Sequence, residues 1–310
     1  MKILFATDGS EYASNAMDFM LRFPFPHVST ITVLTVVDDI PMQQVELDAL
    51  NEEQSEALKN ANEQLHEEAK ELVELESRRL RADKWAGETM VRYGKPVNEI
   101  LRAAEDIDAD LIVMGSHGTS MVKRFLLGSV SDRVFEYAPC SVLIVKKRDE
   151  DEPLAAIEPG TNTAYRIMLA FDNSDISHEA LRQCSSLPLE ENSTIKVVNV
   201  LPLITAYRQD IRQHINSIWL QKKKIMLAEL DNAVASLQWS VSDVTTELRE
   251  GENVSDEVLR AAEENESDLI MIGCKDKGTI RRLLLGSITH RITRYAMCSV
   301  WAVRDKNVID

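Results

Sequence analysis

The residues of this chain whose types and spacing could do chemistry lie in Gly115-Ser116-His117-Gly118 and, after nine intervening residues, Gly128-Ser129-Val130. The apolar run Leu111-Ile112-Val113-Met114 before them reads as a strand, and Val130-Ser131-Asp132-Arg133-Val134 after them as the start of a helix, with Ser129 at the N-cap position. Glycine lets the backbone come close to a ligand, because no Cβ stands in the way. A helix start adds backbone N–H groups and the positive end of the dipole at one point in space. That combination suits an anion, and phosphate best. Lys123 and Arg124 put two positive charges inside the loop of an otherwise acidic chain. A glycine-rich turn that only reverses the chain would explain one such stretch equally well; this chain contains the stretch twice.

The elements that must hold this loop alternate. Ile3 to Thr7 is a continuous apolar run, as in a strand covered on both faces, and Asp8-Gly9-Ser10 leads into helical spacing from Tyr12 to Met17. Thr30 to Val37 is rich in β-branched residues and reads as a second strand, stopped by Pro41. A long helical pattern follows from about Glu46 to Arg81, with Leu58, Ala61, Leu65, Ala69, Leu72 and Leu75 expected on one stripe. Residues 46–76 hold eleven Asp or Glu against two Lys, so its other face is a solvated acidic surface or a docking face. A third strand is expected at Thr89–Tyr93, closed by Gly94-Lys95-Pro96, then a helix from Val97 to Glu105. After the glycine loop come a helix to about Tyr137 and a fifth strand from Pro139 to Val145. Such alternation predicts a parallel sheet with helices on both faces.

Residues 149–163 are acidic, carry Pro and Gly, and have no periodicity, which predicts a linker. Beyond it the order repeats. Arg166 to Ser174 answers Lys2 to Ser10, and Leu259-Arg260-Ala261-Ala262-Glu263 is identical to Leu101-Arg102-Ala103-Ala104-Glu105. Leu269 to Gly273 matches Leu111 to Gly115, Leu284-Leu285-Gly286-Ser287 matches Leu126-Leu127-Gly128-Ser129, and Cys298-Ser299-Val300 matches Cys140-Ser141-Val142. The expected division is therefore residues 1–148, a linker over 149–163, and residues 164–310.

Composition narrows the functional classes. The formal charge of −16 argues against nucleic-acid binding, which needs a basic footprint. No apolar run is long enough to span a bilayer, and Asp8 ends the first one too early for a signal peptide, so the expected location is cytoplasmic. Cys140, Cys184, Cys274 and Cys298 show neither C-x-x-C pairing nor a His partner at metal spacing, and read as small core hydrophobes rather than metal ligands.

These motifs resemble the universal stress protein family in its tandem, UspA-like form, over nearly the whole chain outside the linker. The specific part is the G-x-x-G, nine residues, G-S pattern, met by Gly115, Gly118, Gly128 and Ser129. The resemblance implies an α/β fold, two tandem copies of a five-stranded parallel-sheet domain of the adenine-nucleotide α-hydrolase-like, Rossmann-like type. It implies that this loop, with Val130 after it, holds the phosphates of ATP. It also implies that Asp8 lies near the adenosine and that the backbone of Val36 lies on the adenine. Read alone, Asp8 serves equally as a turn or capping residue, and Val36 as a core valine. Asp172, Val200, Gly273, Gly286 and Ser287 are the matching positions of the second half, a weaker site because Asp276 replaces the counterpart of Gly118. Lys275, Lys277, Arg281 and Arg282 could offset that charge, and Gly278 could supply another turn.

The expected function is an ATP-binding regulatory module of the stress response, with Mg²⁺ accompanying the phosphates. Ser116 and His117 occupy free positions in the pattern and receive no catalytic role. A slow ATP hydrolase of the same fold and a scaffold acting through surfaces are the alternatives; no G-x-x-x-x-G-K-[ST] loop and no Ser-Gly-Gly-x-Asp-Ser loop favours catalysis. Single-domain members of the family pair through the last strand, so Val142–Val145 and Val300–Val303 are expected to pair within the chain as a pseudo-dimer. A homodimer of chains is a further option.

Overall fold

The computed structural model describes residues 1–38, 52–82, 85–118, 127–147, 164–203, 209–237, 241, 243–274 and 286–305. Lys123, Arg124, the segment 149–163, and Lys275, Asp276, Lys277, Gly278, Arg281 and Arg282 lie outside these residues, as do Pro41 and residues 46–51.

Strands and helices alternate: β1 (Lys2–Ala6), α1 (Glu11–Arg22), β2 (Thr30–Val37), α2 (Glu52–Ala82), β3 (Gly87–Tyr93), α3 (Pro96–Asp106), β4 (Leu111–Gly115), α4 (Ser129–Tyr137) and β5 (Ser141–Val145). The second half repeats the order as β6 (Arg166–Ala170), α5 (Asp175–Ser185), β7 (Thr194–Pro202), α6 (Gln209–Leu237), β8 (Asp243–Gly251), α7 (Val254–Glu264), β9 (Leu269–Gly273), α8 (Ser287–Tyr295) and β10 (Ser299–Val303). The ten strands form one sheet in the order β3-β2-β1-β4-β5-β10-β9-β6-β7-β8. All neighbours are parallel except β5 and β10.

Burial explains the composition of each strand. β4, β5 and β10 are buried along their whole length and are apolar on both faces, as parallel strands under two helix layers must be. The outermost strands, β3 and β8, are half-exposed and carry Glu88 and Arg92, and Asp243, Glu247 and Arg249, charges that blunt an open sheet edge. One core cluster joins α1, α2, α5 and α6 to the sheet and runs across both halves, through Met17, Phe23, Leu80, Leu143, Leu181, Leu237 and Trp301. On the opposite face α3 and α4 enclose one cluster, and α7 and α8 another.

Three local expectations need correction. The apolar stripe of α2 is Ala69, Val73 and Leu80 with Leu72 beside it, whereas Leu65 is 36% and Leu75 56% exposed. At about 100° per residue, Leu75 lies about 120° around the helix from Ala69, while Val73 and Leu80 return to within about 40° of it. Pro96 is the first residue of α3 rather than part of the turn before it, a position where its missing N–H costs nothing. β5 starts at Ser141, two residues beyond Pro139.

The halves meet along β5 and β10 in the register Val142–Ala302, Leu143–Trp301 and Ile144–Val300. Leu143 and Trp301 are the middle residues of their strands, so a pseudo-twofold axis normal to the sheet passes between them. On either side of it a cation reaches the far half. Lys146 Nζ donates to the carbonyls of Arg294 (3.3 Å) and Ala296 (2.5 Å) at the end of α8. The Arg304 guanidinium donates to those of Phe135 (2.7 Å), Glu136 (3.3 Å) and Ala138 at the end of α4. A positive charge is favourable at a helix C-terminus, where carbonyls lack intrahelical partners.

Burial lowers the Lys146 pKa from 10.5 to about 8. The folded value lies below the unfolded one, so between pH 8 and 10.5 the unfolded chain binds more protons and this residue makes stability rise with pH. Cys184 and Tyr165, both pushed up to about 12 by burial, act in the opposite sense over the alkaline range. A comparison of wild type with Lys146→Met isolates the lysine. The urea midpoint of the wild type should gain on that of the variant from pH 7.5 to 10, and a constant difference would contradict the assignment.

Candidate functional site

The strand order 3-2-1-4-5 reverses between β1 and β4, and a crevice opens at such a point beyond the carboxyl ends of the strands. The turn after β1 forms one wall. Ser10 caps α1 by accepting the Ala13 N–H (3.2 Å), Asp8 Oδ1 accepts the Ser10 N–H (3.1 Å), and Thr7 Oγ1 accepts the Gly9 N–H (3.2 Å). Gly9 has φ +72°, a conformation costly for a residue with a Cβ, and Leu72 of α2 packs over it. Asp8 is thus a turn residue rather than the cap, and its two carboxylate oxygens part: Oδ1 holds the turn, and Oδ2 faces the loop after β4.

That loop forms the facing wall. A Cβ built on Gly118 would lie 2.6 Å from Asp8 Oδ2, so the two residues touch although 110 positions separate them. The loop is held at its neck, where the Ser116 N–H donates to the Val145 carbonyl (3.0 Å) and the Gly128 N–H to the Ser116 carbonyl (2.8 Å). A Cβ on Gly128 would stand 3.3 Å from His117 Cα. Ser116 Oγ lies 3.1 Å from His117 Nδ1, whose ring packs against Tyr12.

Gly115 has a different task. A Cβ there would come within 2.7 Å of the Tyr12 backbone carbonyl group, so its bareness lets α1 lie close on β4. Gly273 does the same against Ile176 at 2.9 Å.

Ser129 is not the N-cap. Gly128 is, with extended dihedrals (φ −62°, ψ 152°) and a carbonyl that accepts the Asp132 N–H (2.9 Å). Ser129 is the exposed first residue of α4, and Gly128 as N-cap has no side chain with which to cap the helix. The N–H groups of its first turn have no intrahelical acceptor, and they open beside Gly118 and the neck of the loop. Val130 packs on the core of this half, and so does Val36, whose backbone pairs with Arg92 near the end of β2. The hydroxyl that secures the arrangement is Ser131, which donates to the Gly115 carbonyl (2.9 Å). Its counterpart Thr289 donates to the Gly273 carbonyl (3.2 Å), and a hydroxyl recurring two residues after Gly-Ser in both halves was the available sequence signal.

The second half repeats this frame with altered contents. Asp172 accepts from the Ser174 N–H (3.1 Å) and hydroxyl, and Asn173 takes the left-handed place of Gly9 with φ +60°. Phe171 stands in for Thr7 and packs edge-on to His178, so this turn lacks the Thr7 hydroxyl bond. Val200 pairs with Arg249 in β7 and β8. Gly286 is the N-cap of α8 and Ser287 its exposed first residue; among the described residues none beyond its chain neighbours comes within 4 Å of a Cβ built on Gly286. Among the described residues no His, Cys, Asp and Glu cluster suits a metal ion, and no helix is long and apolar enough to cross a membrane.

The model of a family described as the universal stress protein family matches the chain twice, over residues 1–146 and 164–304. Universal stress protein MJ0531 of Methanocaldococcus jannaschii is 34% identical over 148 residues, 47% of this chain and 82% of that protein. Universal stress protein MJ0577 of the same organism is 31% identical over 155 residues, 48% of this chain and 96% of that protein. Each relative thus corresponds to about half of this chain. The crystal structure of a universal stress protein from Archaeoglobus fulgidus DSM 4304 aligns over 98% of both chains with a TM-score of 0.62 at 21% identity, a likeness of fold.

Proposed function

We propose that this chain, which belongs to the universal stress protein family, binds ATP or a related adenine nucleotide in its first half and acts as a regulatory module. The observation that carries the reading is the contact of Asp8 with Gly118 at the β1–β4 switch, beside the helix start of α4, whose N-cap is the bare Gly128. Gly118 and Gly128 leave the loop backbone bare, and the first N–H groups of α4 suit a phosphate tail. Asp8, on the β2 side of the crevice, suits the sugar, and the end of β2 at Val36 the base. Mg²⁺ would accompany the phosphates. Ligand binding rather than turnover is the role assigned, in the cytoplasm. The second half is the weaker site, since Asp276 would set a carboxylate where the first half has Gly118.

The test is to denature the purified protein and identify released nucleotide by chromatography, for wild type and Gly118→Asp. The substitution places a Cβ 2.6 Å from Asp8 Oδ2 and a second carboxylate beside the first. Wild type should release about one adenine nucleotide per chain and the variant at most about a tenth of that, a loss of roughly 1.4 kcal/mol or more in binding. Equal release from both proteins would reject the site. Phosphate production well above that of the variant would instead favour a slow hydrolase.

A further inference from the structure

The residues around the pseudo-twofold axis are unlike in the two halves, and unlike in a complementary way. Asp132 and His290 are each the fourth residue of their helices, α4 and α8, so the axis exchanges their positions. They meet across it, with His290 Nε2 2.9 Å from Asp132 Oδ1. Leu143 and Trp301 face each other at the centre of the strand pair. The Trp301 indole packs against Phe23 and Phe25 of the first half, at 5.9 and 5.7 Å between ring centroids. The corresponding places in the second half hold Leu187 and Leu189. Lys146 and Arg304, by contrast, are both cations doing one job, and they hold the seam without choosing its partner.

We infer that this seam selects unlike halves: the second half is the dedicated partner of the first, and neither pairs with a copy of itself. Two first halves joined through β5 would bring two Asp132 carboxylates together. They would also leave the volume of the indole empty between Phe23, Phe25 and Leu143. Two second halves joined through β10 would set two Trp301 rings into the space that one indole and one Leu fill now, and would replace the acid–imidazole pair by two His290. Charge and volume thus reject paired first halves, and volume with the lost acid–imidazole pair rejects paired second halves, which is specificity by repulsion as well as by fit. The inference is independent of nucleotide binding. It gives the second half a function that survives loss of its own ligand site, since completing the sheet beside β5 needs none of the loop residues around Asp276.

The experiment uses the full chain with a specific protease site placed within 149–163. Two batches differing in isotopic mass are cut, mixed, taken through urea and back, and weighed by native mass spectrometry. Unlike pairs carrying both isotopes should exceed like pairs by about tenfold or more, and Asp132→Asn should raise the share of paired first halves. Like pairs in statistical proportion would overturn the inference. A second arm keeps the chain intact. Asp132→His should lower the urea midpoint, and the exchange Asp132→His with His290→Asp should recover about half or more of that loss, because the pair is re-formed in reverse. Losses that add in the double variant would overturn the part played by the cross-axis pair.

Discussion

Replacement of Trp301 by alanine lowers the unfolding free energy by about 4 kcal/mol, the cost of emptying an aromatic site in a packed core. The indole is 1% exposed and sits where β10, β5 and the end of α1 meet, with Phe23 edge-on and Phe25 tilted against it and Tyr165 edge-on to Phe23 behind them. No single element can move in to fill the space without breaking the register of the seam. Trp301→Phe provides the contrast. The Nε1 atom is buried without a hydrogen-bond partner, so phenylalanine removes an unsatisfied donor while keeping most of the ring. Its cost should be no more than about 1 kcal/mol. Urea unfolding of the two variants against wild type measures both numbers, and similar losses for Ala and Phe would show that the cavity is not the cause.

Gly115→Ala should cost about 3 kcal/mol, near the top of the range for adding one carbon to a close-packed place. The added Cβ meets the carbonyl carbon and oxygen of Tyr12 at 2.7 Å. Backbone atoms at the start of a capped helix cannot swing aside as a side chain can, so α1 must lift from β4. The same change at Gly273 meets the Ile176 carbonyl at 2.9 Å and should cost less. The order of the two midpoints in thermal or urea unfolding checks the steric account, because composition and secondary structure are alike at both sites. Lifting α1 also moves the Asp8 turn, so Gly115→Ala should weaken nucleotide retention as a secondary effect.

The repeat and the strand–helix alternation were legible because parallel strands buried on both faces carry β-branched or unbroken apolar runs, as Thr30–Val37 and Leu111–Met114 do. The glycine spacing was legible as a strand-to-helix turn with a bare backbone. Its geometry was not, because the contact of Asp8 with Gly118 depends on β4 lying beside β1, which is a fact of topology. The residue types did not distinguish Gly115, bare for the sake of Tyr12, from Gly118, bare beside Asp8. Ser129 has the composition of a cap, but the helix starts one residue earlier than that reading requires, and Gly128 takes the place. On α2 the sequence offered leucines at several angles, and only the sheet beneath decided that Leu75 faces outward. Lys146 and Arg304 look like ordinary cations after a strand, since their acceptors belong to the far half.

The reversal of direction between β5 and β10 has a geometrical outcome for any macromolecule that senses this protein. All strands of one half end on the upper rim of the slab and all strands of the other on the lower, so the two crevices face away from each other. A body resting on one rim stands a full strand length from the other, about 17 Å for five residues. Each mouth is therefore read separately. In the middle of the slab, between the two mouths, Trp301 leans on Phe23 and Phe25.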